Sequence, residues 1–332
     1  MAIDVHAHFV PREILDTLET AGRDYGVSLV ENEPGCRACR FAHGLQTRSF
    51  YDGLLDVDLR LGEMDRQGVS RQLLSLWGDL FGYGLPVAKG AAWHRLLNDA
   101  LARTAEAHPE RFSWMASVPL QDGAAAAREL ERAAAAGAVG AVVAANVEGE
   151  NLGDRELDEF WSACTRLDMP VFVHPALPHA EGRARRFGLN QIVAYTADTT
   201  YAVGSLILSG ALDRHPTLRL VLSHGGGQLV WLIGRFDRMH DKGAPGVTGD
   251  AAAMAPSAYL DRFHYDTILH DDRALRHLRE VVGTGRMLLG TDIPFPIGDD
   301  DPLATLRAAG FDAAEQDAIC ERNPRALYAR LG

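Results

Sequence analysis

Five residues at four places in the chain have the types needed to hold and use a metal ion: His6, His8, His174, His224 and Asp292. Each sits in, or just after, a short apolar run. The runs are IDVHAHF (3–9), PVFVHPA (170–176), LRLVLSHGGG (218–227) and RMLLGTDIPFP (286–296). Side chains alternate along a strand, so H-x-H turns both imidazoles to one side. Neutral imidazoles with one carboxylate suit Zn²⁺ with a coordination position left for water; Mn²⁺ is the alternative. Such an ion lowers the pKa of its water, and a nearby imidazole can take the proton. His6, His8, His174 and Asp292 are read as ligands, Asp292 also as part of the catalytic machinery. His224 is read as the base; the three glycines after it permit close approach of a ligand. Its alternative roles are a fifth ligand or a member of a two-metal site. A second ion would want a bridging group such as a carboxylated lysine. Lys89 and Lys242 lie in charged, helix-like contexts, so one ion is expected.

Residues this far apart meet only if the elements carrying them converge. Eight apolar runs read as strands: 3–7, 71–77, 112–120, 139–146, 170–175, 218–224, 263–269 and 286–291. Most are continuous rather than alternating, as in parallel strands buried on both faces. Amphipathic stretches lie between them, clearest at 58–68, 89–108, 122–136 and 154–168. The alternation predicts an α/β (β/α)8 TIM barrel forming one domain over 1–332. Active sites of such barrels lie at the C-terminal ends of the strands. Residues 11–56 are too long for a simple connection and are expected to form a small inserted subdomain or lid after strand one. Residues 177–217 should carry an active-site loop and a helix. The segment 301–330 reads as two helices, with Asp312 capping the second.

The 332 residues carry a formal charge of −12, which argues against nucleic-acid binding. An anionic substrate would need local arginines. No run approaches a membrane span and the N-terminus lacks a secretory pattern, so a cytoplasmic protein is expected. Cys36 and Cys39 form a C-x-x-C with no second pair and no redox-type surroundings, and no function is expected of them.

These residues resemble the amidohydrolase superfamily, and within it the α-amino-β-carboxymuconate-ε-semialdehyde decarboxylase branch. The likeness runs through IDVHAHFVP, EMDRQGV (63–69), SLILSGALDRHP (205–216), SHGGGQLVWLIGRFDR (223–238) and LLGTDIPFPIG (288–298). It implies the ligand set His6, His8, His174 and Asp292, with His224 as base. It implies that Arg48 and Arg235 bind a substrate carboxylate, Arg235 from the neighbouring subunit, and therefore a homodimer. Phe187 falls near the position of an aromatic wall residue. The implied reaction is non-oxidative decarboxylation of a small unsaturated or aromatic acid; the rival is hydrolysis of a lactone, ester or amide at the same centre. The branch's Pro-Trp-Asp-Met after the strand-five histidine is replaced here by HPALPHAEGRARRFG. Its His179, Arg183, Arg185 and Arg186 read either as a solvated lid or as extra carboxylate recognition.

Other residues near these strands have structural readings beside functional ones. Trp77 and the aromatics of LFGYG (80–84) follow strand two and line the pocket or simply pack. Asp4 is expected to point away from the metal. Asp266 reads as an ordinary strand-end contact, with support of a ligand imidazole as the alternative. His43, near Arg48, is not expected to reach the site.

Overall fold

In the computed structural model, residues 1–176, 182–243 and 249–331 are described. Eight strands form at the predicted runs: β1 Ile3–His8, β2 Arg71–Ser75, β3 Phe112–Ser117, β4 Gly140–Ala144, β5 Val171–His174, β6 Leu220–Leu222, β7 Phe263–Asp266 and β8 Met287–Leu288. They lie side by side in chain order, every pairing parallel. The chain beyond β8 returns to β1: Leu289 O accepts from Val5 N and Ile293 O from His8 N, both at 2.9 Å. These bonds close the ring into a (β/α)8 barrel. Inner side chains fill the barrel and outer ones pack on helices, which is why β4 reads GAVVA with every residue buried.

Helices follow the strands, including Val57–Gln67, Val87–Ala107, Gly123–Ala135, Asp158–Arg166, Tyr195–Leu208, Leu229–Lys242 and Asp272–Val282. Aspartates start several of them by accepting from unpaired N–H groups of the first turn: Asp56, Asp122 and Asp271. Asp312 caps Ala313–Asp317 as the sequence indicates, in a reciprocal box with Glu315.

Between β1 and Val57–Gln67 the chain forms a helix, Glu13–Tyr25, then an antiparallel hairpin of Val27–Glu33 with Cys36–Phe41, and a short helix, Asp52–Leu55. Cys36 and Cys39 are free thiols on the second hairpin strand. After the hairpin, residues 45–48 return to the mouth of the barrel.

Candidate metal centre and active site

His6 and His8 end β1, His174 ends β5, and His224 and Asp292 lie just beyond β6 and β8. All five therefore meet at the C-terminal mouth. His6 Nε2 is 3.1 Å from His8 Nε2 and 3.2 Å from Asp292 Oδ1; His8 Nε2 is 3.3 Å from that same oxygen. Donor atoms of His6, His174, His224 and Asp292 all lie within 4.8 Å of one another. The ring of His8 is 4.6 Å from that of His174, centroid to centroid. The geometry thus brings His224 into the same cluster as the four expected ligands, with His8 against His6, Asp292 and His174. His224 and Asp292 both adopt left-handed backbone, with φ of 53° and 57°. A non-glycine residue is held there only by its surroundings, and such strain concentrates at functional sites.

The far side of each β1 imidazole explains why its Nε2 points inward. His6 Nδ1 lies 2.6 Å from Asp266 Oδ2, and His8 Nδ1 lies 3.0 Å from Leu76 O. Nδ1–H donated to these acceptors leaves the Nε2 lone pair facing the cluster. Two such lone pairs at 3.1 Å, with a carboxylate oxygen beside them, repel unless a cation lies between them. His174 Nδ1 and Nε2, His224 Nδ1 and Asp292 Oδ1 are buried with no hydrogen-bond partner among the described residues. Orphaned buried donors and acceptors on this scale need a ligand to justify their cost. The residues present fit a divalent cation.

The electrostatics agree. Burial opposes charge on His6, but Asp292 and Asp266 outweigh it and push its pKa up to about 10. Burial likewise opposes charge on Asp292, yet His6, His224 and His8 hold its pKa well below the usual carboxylate range. Burial and the neighbouring imidazoles hold His174 well below the ordinary histidine value, so it is neutral. The pocket demands one positive charge beside Asp292 and supplies neutral nitrogen around it.

Asp266 is thus more than a strand-end contact. Its Oδ2 meets His6 and its Oδ1 accepts from Gly225 N at 2.8 Å, joining β7 to both the β1 ligand and the His224 loop. Asp266→Ala is expected to weaken metal binding about 10–100-fold. Competition against a chromophoric chelator measures this, and unchanged affinity would show the contact to be incidental. Asp4 corrects another expectation. It shares the parity of His6 and His8, so alternation does not turn it away. It is kept from the ion by depth, bonding Thr291 Oγ1 at 2.6 Å and Gln72 Nε2 at 2.9 Å.

A cavity of about 280 Å³ opens over the cluster, lined by His174, His224 and Asp292 together with Arg48, Trp77, Tyr195 and Phe295. Arg48 reaches it from the segment after the hairpin. Its Nε and Nη2 donate to Asp79 at 3.0 and 2.9 Å, and its guanidinium carbon lies 5.3 Å from the Trp77 ring centre and 5.5 Å from that of Phe295. Asp79 was missed from sequence, although an acid two residues past Trp77 was the available signal. Tyr195 and Phe295 gave none. Trp77 is buried and lines the cavity. Phe187 does not line it: with φ of 63° it is turned outward, 80% exposed, under the Arg186 guanidinium. Arg183, Arg185 and Arg186 are exposed, and His179 lies outside the described residues. Arg235 is exposed on Leu229–Lys242 and does not enter this chain's own cavity. His43 packs on Phe41 and lines neither this cavity nor its neighbour.

Beside the cavity, Asp198 receives Asn146 Nδ2 at 2.9 Å and Ala176 N at 3.2 Å, fixing the chain two residues past His174. Burial, only partly offset by these bonds, raises its pKa to about 6. A raised carboxylate pKa favours the folded state below the unfolded pKa, and that advantage is lost as pH rises through the folded value. Denaturation midpoints should therefore fall between pH ~4 and ~6.5 in the native protein, by roughly 2–3 kcal/mol from this residue, and more shallowly in Asp198→Asn. Parallel profiles would refute the assignment.

A closed (β/α)8 barrel with H-x-H on its first strand, a histidine ending strand five, an aspartate after strand eight and a histidine after strand six defines a metal-dependent barrel enzyme. The amidohydrolase family model matches residues 3–330, and the chain belongs to that family. It is similar to the 2-amino-3-carboxymuconate-6-semialdehyde decarboxylase of Dictyostelium discoideum, at 31% identity, covering 90% of this chain and 83% of that one. It is also similar to a gamma-resorcylate decarboxylase of a Rhizobium species, at 28% identity, with 87% and 92% covered. Among solved structures, 5-carboxyvanillate decarboxylase of Sphingomonas paucimobilis superposes with a TM-score of 0.83 at 26% identity, covering 99% and 98% of the two chains.

Proposed function

We propose that this chain is a metal-dependent, non-oxidative decarboxylase of a small unsaturated or aromatic carboxylic acid, working as a homodimer in the cytoplasm. The observation that carries this reading is the placement of Arg48. It stands on the wall of the cavity that holds His174, His224 and Asp292, flanked by two aromatic rings. That arrangement suits a planar anion. The decarboxylases to which the chain is similar, matched over most of its length, support the same reading.

His6, His8, His174 and Asp292 would hold the ion, Zn²⁺ for this donor set with Mn²⁺ as the alternative. Bound there, it would supply Lewis-acid polarisation and activation of water. Arg48 keeps Nη1 free of hydrogen bonds among the described residues and offers it to the substrate carboxylate while Asp79 fixes the guanidinium plane. Trp77 and Phe295 present apolar faces that hold the unsaturated system and exclude bulk water. His224 Nε2 takes a proton from water in the cavity and delivers it to the carbon that bears the leaving carboxylate, and the hydroxide so formed takes up a proton from solvent. Carbon dioxide then departs, and the electron pair of the broken carbon–carbon bond restores the unsaturation.

Arg235 is read as a second carboxylate ligand delivered to the partner subunit. Trp231, Arg235 and Met239 recur every four residues along one exposed face of Leu229–Lys242, as a face that meets a partner would. Among the described residues no helix is long and apolar enough to cross a membrane.

The test is carbon dioxide release from hydroxybenzoate-type and amino-carboxymuconate-type acids by metal-replete protein. Turnover of lactones, esters or amides without release would favour the hydrolytic rival. Arg48→Gln is expected to raise KM about 10–100-fold, with a smaller effect on kcat, because it removes a charge-assisted contact made in ground and transition states alike. A variant with native KM would place the carboxylate elsewhere.

A further inference from the structure

A second cavity, of about 190 Å³, adjoins the metal cavity. Arg48, Gly78, Asp79 and Tyr195 line both, so the two chambers share a wall. The outer chamber contains none of the five cluster residues. It is built by the 45–48 segment after the hairpin, the residues after β2 and the end of β4. The insertion therefore makes a pocket that the barrel alone would lack.

The chemistry of this chamber differs from that of the inner one. Its acidic and basic side chains are Asp79, Glu148 and Arg48, and the guanidinium is already engaged twice by Asp79. Glu148 is thus left without an ion pair among the described residues. Asn190 Oδ1 is buried there without a hydrogen-bond partner among the described residues, an acceptor in need of a donor. Burial pushes the Tyr195 phenol up to about 12, so it stays neutral and keeps its O–H. The lining disfavours an anion and offers acceptors.

We propose that this outer chamber is a substrate subsite for a neutral or cationic hydrogen-bond-donating substituent, a hydroxyl or an amine, carried on the ring beside the leaving carboxylate. The proposal rests on the decarboxylase reading and extends it. The carboxylate at Arg48 stands at the wall that the chambers share, so a substituent next to it reaches past the Arg48–Asp79 pair while the ring stays by Trp77 and Phe295. A second carboxylate on that substituent is selected against by Glu148.

Four probes test this on metal-replete protein: salicylate, and three salicylates carrying an ethyl, hydroxyethyl or carboxymethyl group at the ring position next to the carboxylate that the hydroxyl leaves free. Calorimetry and competitive inhibition give their affinities. The hydroxyethyl compound is expected to bind about tenfold more tightly than the ethyl compound, and the carboxymethyl compound more weakly than either. Leu45→Trp fills the chamber from the 45–48 segment, where Leu45 lines it without touching the metal cavity, and should bring the hydroxyethyl-to-ethyl ratio to about one. Glu148→Lys, an exchange at an exposed turn, should make the carboxymethyl compound the tightest of the three. Tail-independent affinities in the native protein, or ratios that neither variant moves, overturn the subsite and leave the decarboxylase reading standing. If salicylate and its derivatives do not bind, the subsite is overturned, while the decarboxylase reading is judged separately by carbon dioxide release from amino-carboxymuconate-type acids.

Discussion

Replacing His174 by alanine is expected to strip the metal from the protein and take turnover to background, while the metal-free barrel keeps close to its native stability. His174 is buried, and neither ring nitrogen has a hydrogen-bond partner among the described residues. In the metal-free protein it contributes packing but leaves two polar atoms unsatisfied. Losing the ring opens a cavity at a cost of about 3 kcal/mol or more. Losing the two orphaned nitrogens returns roughly 1–3 kcal/mol each. The terms oppose one another, so the metal-free variant should unfold within about 2 kcal/mol of the native protein. The holo form behaves differently. A ligand that binds only the folded state stabilises it by RT ln(1 + [L]/Kd), about 2.7 kcal/mol at a hundredfold excess over Kd. That increment should appear on adding Zn²⁺ to the native protein and be absent in His174→Ala. Elemental analysis and paired melting curves with and without metal read both effects. Stoichiometric metal in the variant would remove His174 from the ligand set.

The contrast between His174 and Phe187 shows what the amino-acid sequence makes legible. His174 closes a continuous apolar run, VFVH, whose burial on both faces leaves it only one place to go, the mouth of a parallel barrel. The same logic places His6, His8 and Asp292, because register and barrel closure are dictated by hydrophobic pattern. Phe187 belongs to a loop with no such period, and a positive φ turned it to solvent. Loop direction depends on single backbone dihedrals that composition does not reveal. The partners of the ligands were also hidden. Asp266 lies 260 residues from His6, and only the closed ring brings β7 within hydrogen-bond reach of β1. The Arg48–Asp79 pair joins the segment after the hairpin to the loop after β2, a contact set by how that segment folds back on the barrel. The expectation for Asp4 failed for a simpler reason: the parity of residues 4, 6 and 8 is the same, and only depth along β1 separates the structural carboxylate from the liganding imidazoles.

His224 is where sequence and geometry pull apart, and one variant decides between them. Its Nε2 lies 3.4 Å from Asp292 Oδ2, and its donor atom falls within the same cluster as those of His6 and His174. That favours a ligand. Its ring also lines the open cavity, where a group that shuttles protons must stand, and it rides on a loop of glycines rather than a strand. That favours the base. A ligand and a base fail differently. If His224 moves protons, His224→Ala should retain one metal ion per chain, keep KM within a few-fold and lose about 10²–10⁴ in kcat. The limb of the kcat profile that reports the base should vanish with it. If it is a ligand, metal occupancy and activity should fall together, as for His174→Ala. The arrangement on β1 argues for the first outcome. His6 and His8 each have an acceptor behind Nδ1; His224 Nδ1 has none among the described residues, like His174 Nδ1, but His174 is held at the end of its strand whereas His224 sits on a loop of glycines. An imidazole without such an anchor can exchange its proton without disturbing the ion's cage. Metal-free His224→Ala protein, recovered from metal-replete medium, would settle the role as ligand.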